Sequence, residues 1–182
     1  GSPIKTDAVI ADLPVTDGVV PYGTLQTQKG FSFSYSLDKD DAVYGLGESN
    51  RGINKRGFLY VSDCTDDPNQ TEDRISLYGA HNFLIVSGKE TFGLFLDYPS
   101  TITFDIGYTH IDELHIFCQN ADLDFYVITG DSLYAIVKEF RHMIGQSYIP
   151  PKFAFGYGQS RWGYKTAQDF MNVAKKHREQ NI

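Results

Sequence analysis

The stretch FSFSYSLD, Phe31 to Asp38, alternates apolar and polar residues without a break. A strand sends successive side chains to opposite sides, so Phe31, Phe33, Tyr35 and Leu37 share one face and the serines the other. The pattern predicts a strand with one face in a core and one in water. A charged turn, Asp38 to Asp41, leads on to AVYGLGES, and the series continues through NFLIVSG (82–88), ETFGLFLDY (90–98), TITFDIGY (101–108), ELHIFCQ (113–119) and DLDFYVIT (122–129). Ser87-Gly88-Lys89, Pro99-Ser100 and Gln119-Asn120-Ala121 separate these runs. Short strands divided at such regular intervals read as an antiparallel β-sandwich over residues 30–130. Residues 1–29 show no sustained period and read as an irregular segment. Gly1-Ser2, in place of an initiator Met, reads as a cloning remnant with the natural N-terminus missing.

The period changes at Asp131. DSLYAIVKEFRHMIG sets Leu133, Ile136, Val137, Phe140 and Ile144 on one helical face, with Asp131 as the expected N-cap and Gly145 at the C-terminal stop. This gives a connecting helix within 131–149. Pro150-Pro151 then break the chain, since neither fits a helix interior or a central strand. FAFGYG (153–158) reads as a strand, and TAQDFMNVAKKHREQ (166–180) as a helix capped by Thr166 with Phe170, Val173, Ala174 and His177 on one stripe. Strand then helix is half of a βαβ unit, and no returning strand follows. Residues 150–182 therefore read as a first β/α unit cut short, whose apolar surface is expected to find cover in a homo-oligomer or else to stay disordered past about Arg161.

Charge and composition exclude several classes of function. The formal net charge of −7 offers no basic stripe to phosphates, which argues against nucleic acid and anionic membrane surfaces as partners. Aromatics make up 14% of the 182 residues, a level that suits strands and also sugar stacking. The two cysteines, Cys64 and Cys118, lie far apart with no CxxC spacing, so reduced thiols in a cytoplasmic chain are expected rather than a disulfide framework or a zinc site. No apolar run reaches membrane-span length, and no signal peptide precedes the first strand. Asn69-Gln70-Thr71 matches a glycosylation sequon at chance level.

No GxSxG, P-loop, HExxH or paired CxxC motif is present, and the histidines are scattered. Three patches remain as candidates. YGLGESNRGINKRG (44–57) is glycine-rich, and Glu48 with Arg51, Lys55 and Arg56 suggests an ion network. SDCTDDPNQTEDRISLYG (62–79) is the longest polar stretch, and long irregular segments are usually functional or disordered. Its carboxylates lack the D-x-[DN]-x-[DN]-G order of a calcium loop, so no metal is expected. QSRWGY (159–164) follows the last strand and holds Trp162, the single Trp, whose indole suits the apolar face of a sugar ring.

Taken in order, Tyr44-Gly45-Leu46-Gly47-Glu48, Asn54-Lys55-Arg56-Gly57, Thr65-Asp66, Pro150-Pro151-x-Phe-Ala-Phe-Gly and Arg161-Trp162-Gly163-Tyr164 resemble glycoside hydrolase family 31, the α-glucosidases and α-xylosidases, with the bacterial isomaltase-like members nearest in character. The resemblance covers about Gly30 to Ile182. It implies a mainly β fold: a galactose-mutarotase-like antiparallel sandwich, a connecting helix, and the first β/α unit of a truncated (β/α)8 catalytic barrel. It implies a retaining hydrolase that releases terminal α-linked glucose from oligosaccharides or disaccharides and needs no cofactor. Such enzymes require two carboxyl groups about 5–5.5 Å apart. The resemblance puts both beyond Ile182, so no residue here is named catalytic and the isolated chain is expected to be inactive. It carries a sugar-binding aspartate onto Asp66, with Asp63 and Asp67 as sharers because Cys64 stands where the family usually has Asn. Trp162 is carried over as a sugar-contacting wall. A stand-alone carbohydrate-binding sandwich and a purely structural support for the barrel are the alternative readings.

Overall fold

In the computed structural model, which describes Val9, Ala11 and residues 17–182, Phe31 and Phe33 are buried. Ser32 and Ser34 lie on the opposite face, bonded to His115 and Glu113. The strands are β1 (Gly18–Val20), β2 (Gly23–Gln26), β3 (Phe31–Ser36), β4 (Ala42–Gly45), β5 (Phe58–Ser62), β6 (Phe83–Ser87), β7 (Thr91–Asp97), β8 (Ile102–Ile106), β9 (Glu113–Cys118) and β10 (Asp124–Thr129). They form a six-stranded sheet in the order β1-β2-β3-β9-β8-β5 and a four-stranded sheet in the order β10-β7-β6-β4. Every pairing within these sheets is antiparallel. The sheets face each other across one core, where Phe33 meets Phe125 and Tyr35 meets Phe92. The mainly β, sandwich-like expectation holds.

The four-stranded sheet buries both faces. Leu84, Val86, Phe92, Leu94 and Leu96 enter the core between the sheets. Phe83, Ile85 and Phe95 point the other way, onto helix α1 (Leu133–Ile144) with its Ile136, Phe140 and Met143. That double burial explains why FLIV and FGLFL read as nearly unbroken apolar runs. Phe83 and Phe140 stack at 3.9 Å between ring centroids, and Phe140 meets Phe95 edge-on at 5.2 Å. Gly93 makes the approach possible, because a Cβ there would stand 2.7 Å from Ile136 Cγ2.

Several expectations are corrected. Residues 1–29 are not irregular throughout: β1 and β2 form a hairpin, and Leu25 lies opposite Phe33 in the ladder. Their signal is faint because within these short strands only Leu25 is fully buried. Gly1-Ser2 lies outside the described residues. Strand β5 went unrecognised because only Tyr60 of FLYVS is fully buried. The N-cap of α1 is Ser132, not Asp131, its hydroxyl accepting from Ala135 N–H at 3.1 Å. The face that packs on the sheet runs through Ile136, Phe140 and Met143, while Leu133, Val137 and Ile144 remain 39–43% exposed. Gly145 ends the helix as expected.

Residues through Gly145 form one unit and Gln146–Ile182 a second. In the second, FAFGYG is not a strand: Lys152–Phe155 form a single 3-10 turn, with Ala154 N–H on Pro151 O and Gly156 N–H on Phe153 O. A strand requires a ladder partner, and among the described residues nothing pairs with this segment. Helix α2 (Ala167–Glu179) does form, rather than disorder past Arg161, under a capping box in which Thr166 and Asp169 bond each other's backbone N–H groups. No helix among the described residues is long and apolar enough to cross a membrane.

Ile136 is fully buried against the four-stranded sheet, whereas Val137 is 41% exposed. Ile136→Ala is expected to destabilise the chain by about 2–4 kcal/mol and Val137→Ala by under about 0.5 kcal/mol, read from urea unfolding midpoints. Equal effects would refute this helix phase.

Candidate functional site

Two of the three polar patches meet in the structure. Between β4 and β5 the chain runs past the segment 63–79 and fastens it at several points. At the start, Gly47 lies so close to the returning chain that a Cβ would stand 1.9 Å from Gly79 O, so only glycine fits. Glu48 then grips Gly79 twice: its N–H donates to Gly79 O at 2.6 Å, and its Oε2 accepts from Gly79 N–H at 3.1 Å. Asn50 donates to Gln70 O. Arg51 donates from Nε to Glu72 O (2.6 Å), from Nη1 to Leu59 O (2.7 Å) and from Nη2 to Asp73 O (3.2 Å). Its guanidinium also lies 4.5 Å from the Phe58 ring centre and 4.9 Å from that of Tyr60.

The expected ion network is not what these residues make. Arg56 donates to the carbonyls of Asp38, Asp41 and Ile111. Lys55, buried, donates to Ser49 Oγ at 3.4 Å and Gly52 O at 3.2 Å. Burial, with the Arg51 charge nearby, lowers the Lys55 pKa. The cations thus satisfy the carbonyls and hydroxyl of an irregular backbone, and the Glu48 carboxylate satisfies an N–H. Main-chain groups of a non-repetitive segment have no ladder partners, and side chains supply them here.

The long polar segment is a folded-back ribbon that prolongs β5. Val61 N–H donates to Ile75 O at 2.8 Å and Thr65 N–H to Leu77 O at 2.9 Å. The Thr65 and Ser76 hydroxyls bond each other, and Leu77 is buried as the anchor. One step past the Thr65–Leu77 pair stand Asp66 and Tyr78, both exposed, with the Tyr78 hydroxyl donating to Asp66 Oδ1. Asp67 is engaged otherwise: Oδ1 accepts from Asn69 N–H at 2.8 Å, and Oδ2 pairs with Arg74 Nε at 2.9 Å. Asp63 is exposed at the edge of a cavity of about 20 Å³ that Glu48, Tyr60 and His81 also line. Cys64 is an exposed free thiol. The structure therefore gathers the three aspartates on one ribbon but gives them different partners. Among the described residues nothing donates to Asp66 Oδ2, which remains an open acceptor beside an aromatic ring, an arrangement suited to the hydroxyls of a neutral polar ligand.

Trp162 belongs to the second unit, where its indole stands clear of its neighbours. Nearby, Gln159 links the Tyr157 and Tyr164 hydroxyls. The sequence reading overlooked Tyr78. Its signal was the apolar pair Leu77-Tyr78 closing an otherwise polar stretch, where a buried Leu places the next side chain outward. Among the described residues no group of three or more His, Cys, Asp or Glu is placed to hold a metal ion.

Comparison with known proteins agrees with this architecture. Residues 16–105 match the glycosyl hydrolase 31 N-terminal galactose mutarotase-like domain, and residues 147–182 the glycosyl hydrolases family 31 TIM-barrel domain. Alpha-glucosidase 2 of Bacillus thermoamyloliquefaciens is 31% identical over 166 residues, which cover 85% of this chain and 21% of that protein. An alpha-xylosidase of Saccharolobus solfataricus is 40% identical over 151 residues, covering 81% of this chain and 20% of that one. The chain thus spans about a fifth of the length of these relatives. Among solved structures, a Flavobacterium johnsoniae dextranase complexed with isomaltotriose superposes with a TM-score of 0.78 at 23% identity, over 91% of this chain and 20% of that one. The cycloalternan-degrading enzyme of Trueperella pyogenes gives 0.71 at 19% identity, over all of this chain and 26% of that one. These last two speak to the fold. The chain belongs to glycoside hydrolase family 31, of which it carries the N-terminal galactose-mutarotase-like domain and the start of the TIM barrel.

Proposed function

We propose that this chain is the substrate-contacting N-terminal part of a retaining α-glucosidase, and that Asp66 is its contact to a sugar hydroxyl. The observation that carries this reading is the ribbon: it is clamped by Glu48 at Gly79 and by Arg51 at Glu72 and Asp73, and presents one carboxylate with an open oxygen, while the neighbouring Asp67 is engaged by Arg74. A ribbon held in place before the ligand arrives loses little freedom on binding, so its hydrogen bond is realised as affinity. Similarity to alpha-glucosidase 2 supports the glucosidase assignment. The second reading is an α-xylosidase, favoured by the 40% identity to the Saccharolobus alpha-xylosidase. Trp162, taken by itself, offers an apolar face for a sugar ring.

In the full-length enzyme, hydrolysis rates on 4-nitrophenyl α-glucoside and α-xyloside separate the two readings, and greater turnover of the xyloside would overturn the first. Asp66→Ala is expected to raise KM for maltose or isomaltose about tenfold to hundredfold, the range for losing a hydrogen bond to a charged group. An unchanged KM would sink the Asp66 assignment. Arg51→Lys removes the three-carbonyl fork while keeping the charge. It should therefore speed amide hydrogen exchange across residues 65–79 by about tenfold, since about 1.4 kcal/mol of local stability is one decade in opening. Wild-type exchange in this variant would show that charge alone holds the ribbon.

A further inference from the structure

We infer that Tyr78 is a positioning residue for Asp66, fixing through its hydroxyl which carboxylate oxygen is presented to the sugar. The inference rests on the reading of Asp66 as the sugar contact. Tyr78 is itself held at both neighbours. Leu77 is buried and its carbonyl accepts from Thr65 N–H at 2.9 Å. Gly79 is gripped by Glu48 through two hydrogen bonds. The phenol ring is therefore set by backbone that cannot drift, although it is half-exposed itself.

An Asp side chain in water turns freely about its terminal bond and presents either oxygen. Here the Tyr78 hydroxyl donates to Oδ1, which ties down that rotation and leaves Oδ2 to accept from a ligand. Geometry alone establishes the pairing, and the acid–base behaviour of the phenol agrees with it. The Tyr78 pKa is raised, first by its hydrogen bond to Asp66, then by partial burial and by the charges of Asp66, Glu48 and Asp67. A phenol so shifted keeps its proton, and hence its role as donor, throughout the neutral range.

Two measurements test this. In the 182-residue chain, the Tyr78 ring carbon resonance, assigned with Tyr78→Phe, is titrated with and without Asp66→Asn. Loss of the carboxylate acceptor should move the midpoint down, and an unmoved midpoint overturns the pairing. In the full-length enzyme, Tyr78→Phe should raise KM for isomaltose by about threefold to tenfold, less than Asp66→Ala because the carboxylate that meets the sugar is still present. Its kcat should stay within about twofold, because substrate binding rather than bond cleavage is affected. In an Asp66→Ala background the same change should add nothing, as a residue acting through another must behave in a double-mutant cycle. Additive effects would mean that Tyr78 touches the sugar directly and would overturn the positioning role. A rise in KM for Asp66→Ala with none for Tyr78→Phe refutes this inference and leaves the proposed function standing. A silent Asp66→Ala removes both.

Discussion

The bare backbone at Gly93 decides how the four-stranded sheet is used. With no side chain there, Ile136 of α1 comes down onto β7, and the aromatic stack of Phe83 on Phe140 closes beside it. The sheet is then dry on both faces, and burial of its large apolar side chains dominates the free energy of the unit. A sheet fixed on both sides holds its strand ends rigidly. The end of β4 at Gly45 is such a point: Leu46 N–H donates back to Phe83 O at 2.8 Å, and the chain leaves in one direction toward the clamp at Glu48. The ribbon that bears Asp66 is thus referred to the core through a short series of hydrogen bonds.

That ribbon answers a general difficulty. Seventeen residues, 63 to 79, with almost no apolar content cannot be shaped by burial, yet a ligand contact must be placed to a fraction of an ångström. The solution here is one buried Leu, a short backbone ladder and a set of side chains from the preceding segment that satisfy main-chain groups. The ribbon's sequence is largely free of core constraints, so it can change without disturbing the sandwich beneath it.

How much could be read beforehand follows from which physical signal each part carries. Strands with a buried face announce themselves by period, so β3 and β6 through β10 were legible to within about two residues. Strands β2 and β5 bury one side chain each and β1 none, and these three were not. On α1 the apolar spacing found Ile136 and Phe140 but also took in Leu133, Val137 and Ile144, which stay exposed, and of two good caps side by side only Ser132 makes the bond to Ala135. FAFGYG has strand composition, but composition cannot supply a ladder partner, and the segment turns instead. In the site, the aspartates were identified by resemblance, whereas their separate fates depended on Tyr78 and Arg74, residues twelve and seven positions away. Pairings at that distance leave no local pattern.

The carbonyl-bound arginines have a consequence for the conditions under which the ribbon keeps its form. A guanidinium stays charged at any pH the protein meets, and a peptide carbonyl carries no proton to lose. The links from Arg51 to Glu72, Leu59 and Asp73, and from Arg56 to Asp41 and Ile111, therefore contain no titrating member. The Asp67–Arg74 pair is different, because dissolved salt screens a solvent-facing ion pair. Added salt would loosen the cross-link between Asp67 and Arg74 while Arg51 still held Glu72 and Asp73 at the turn, so neighbouring parts of one loop differ in what they can withstand.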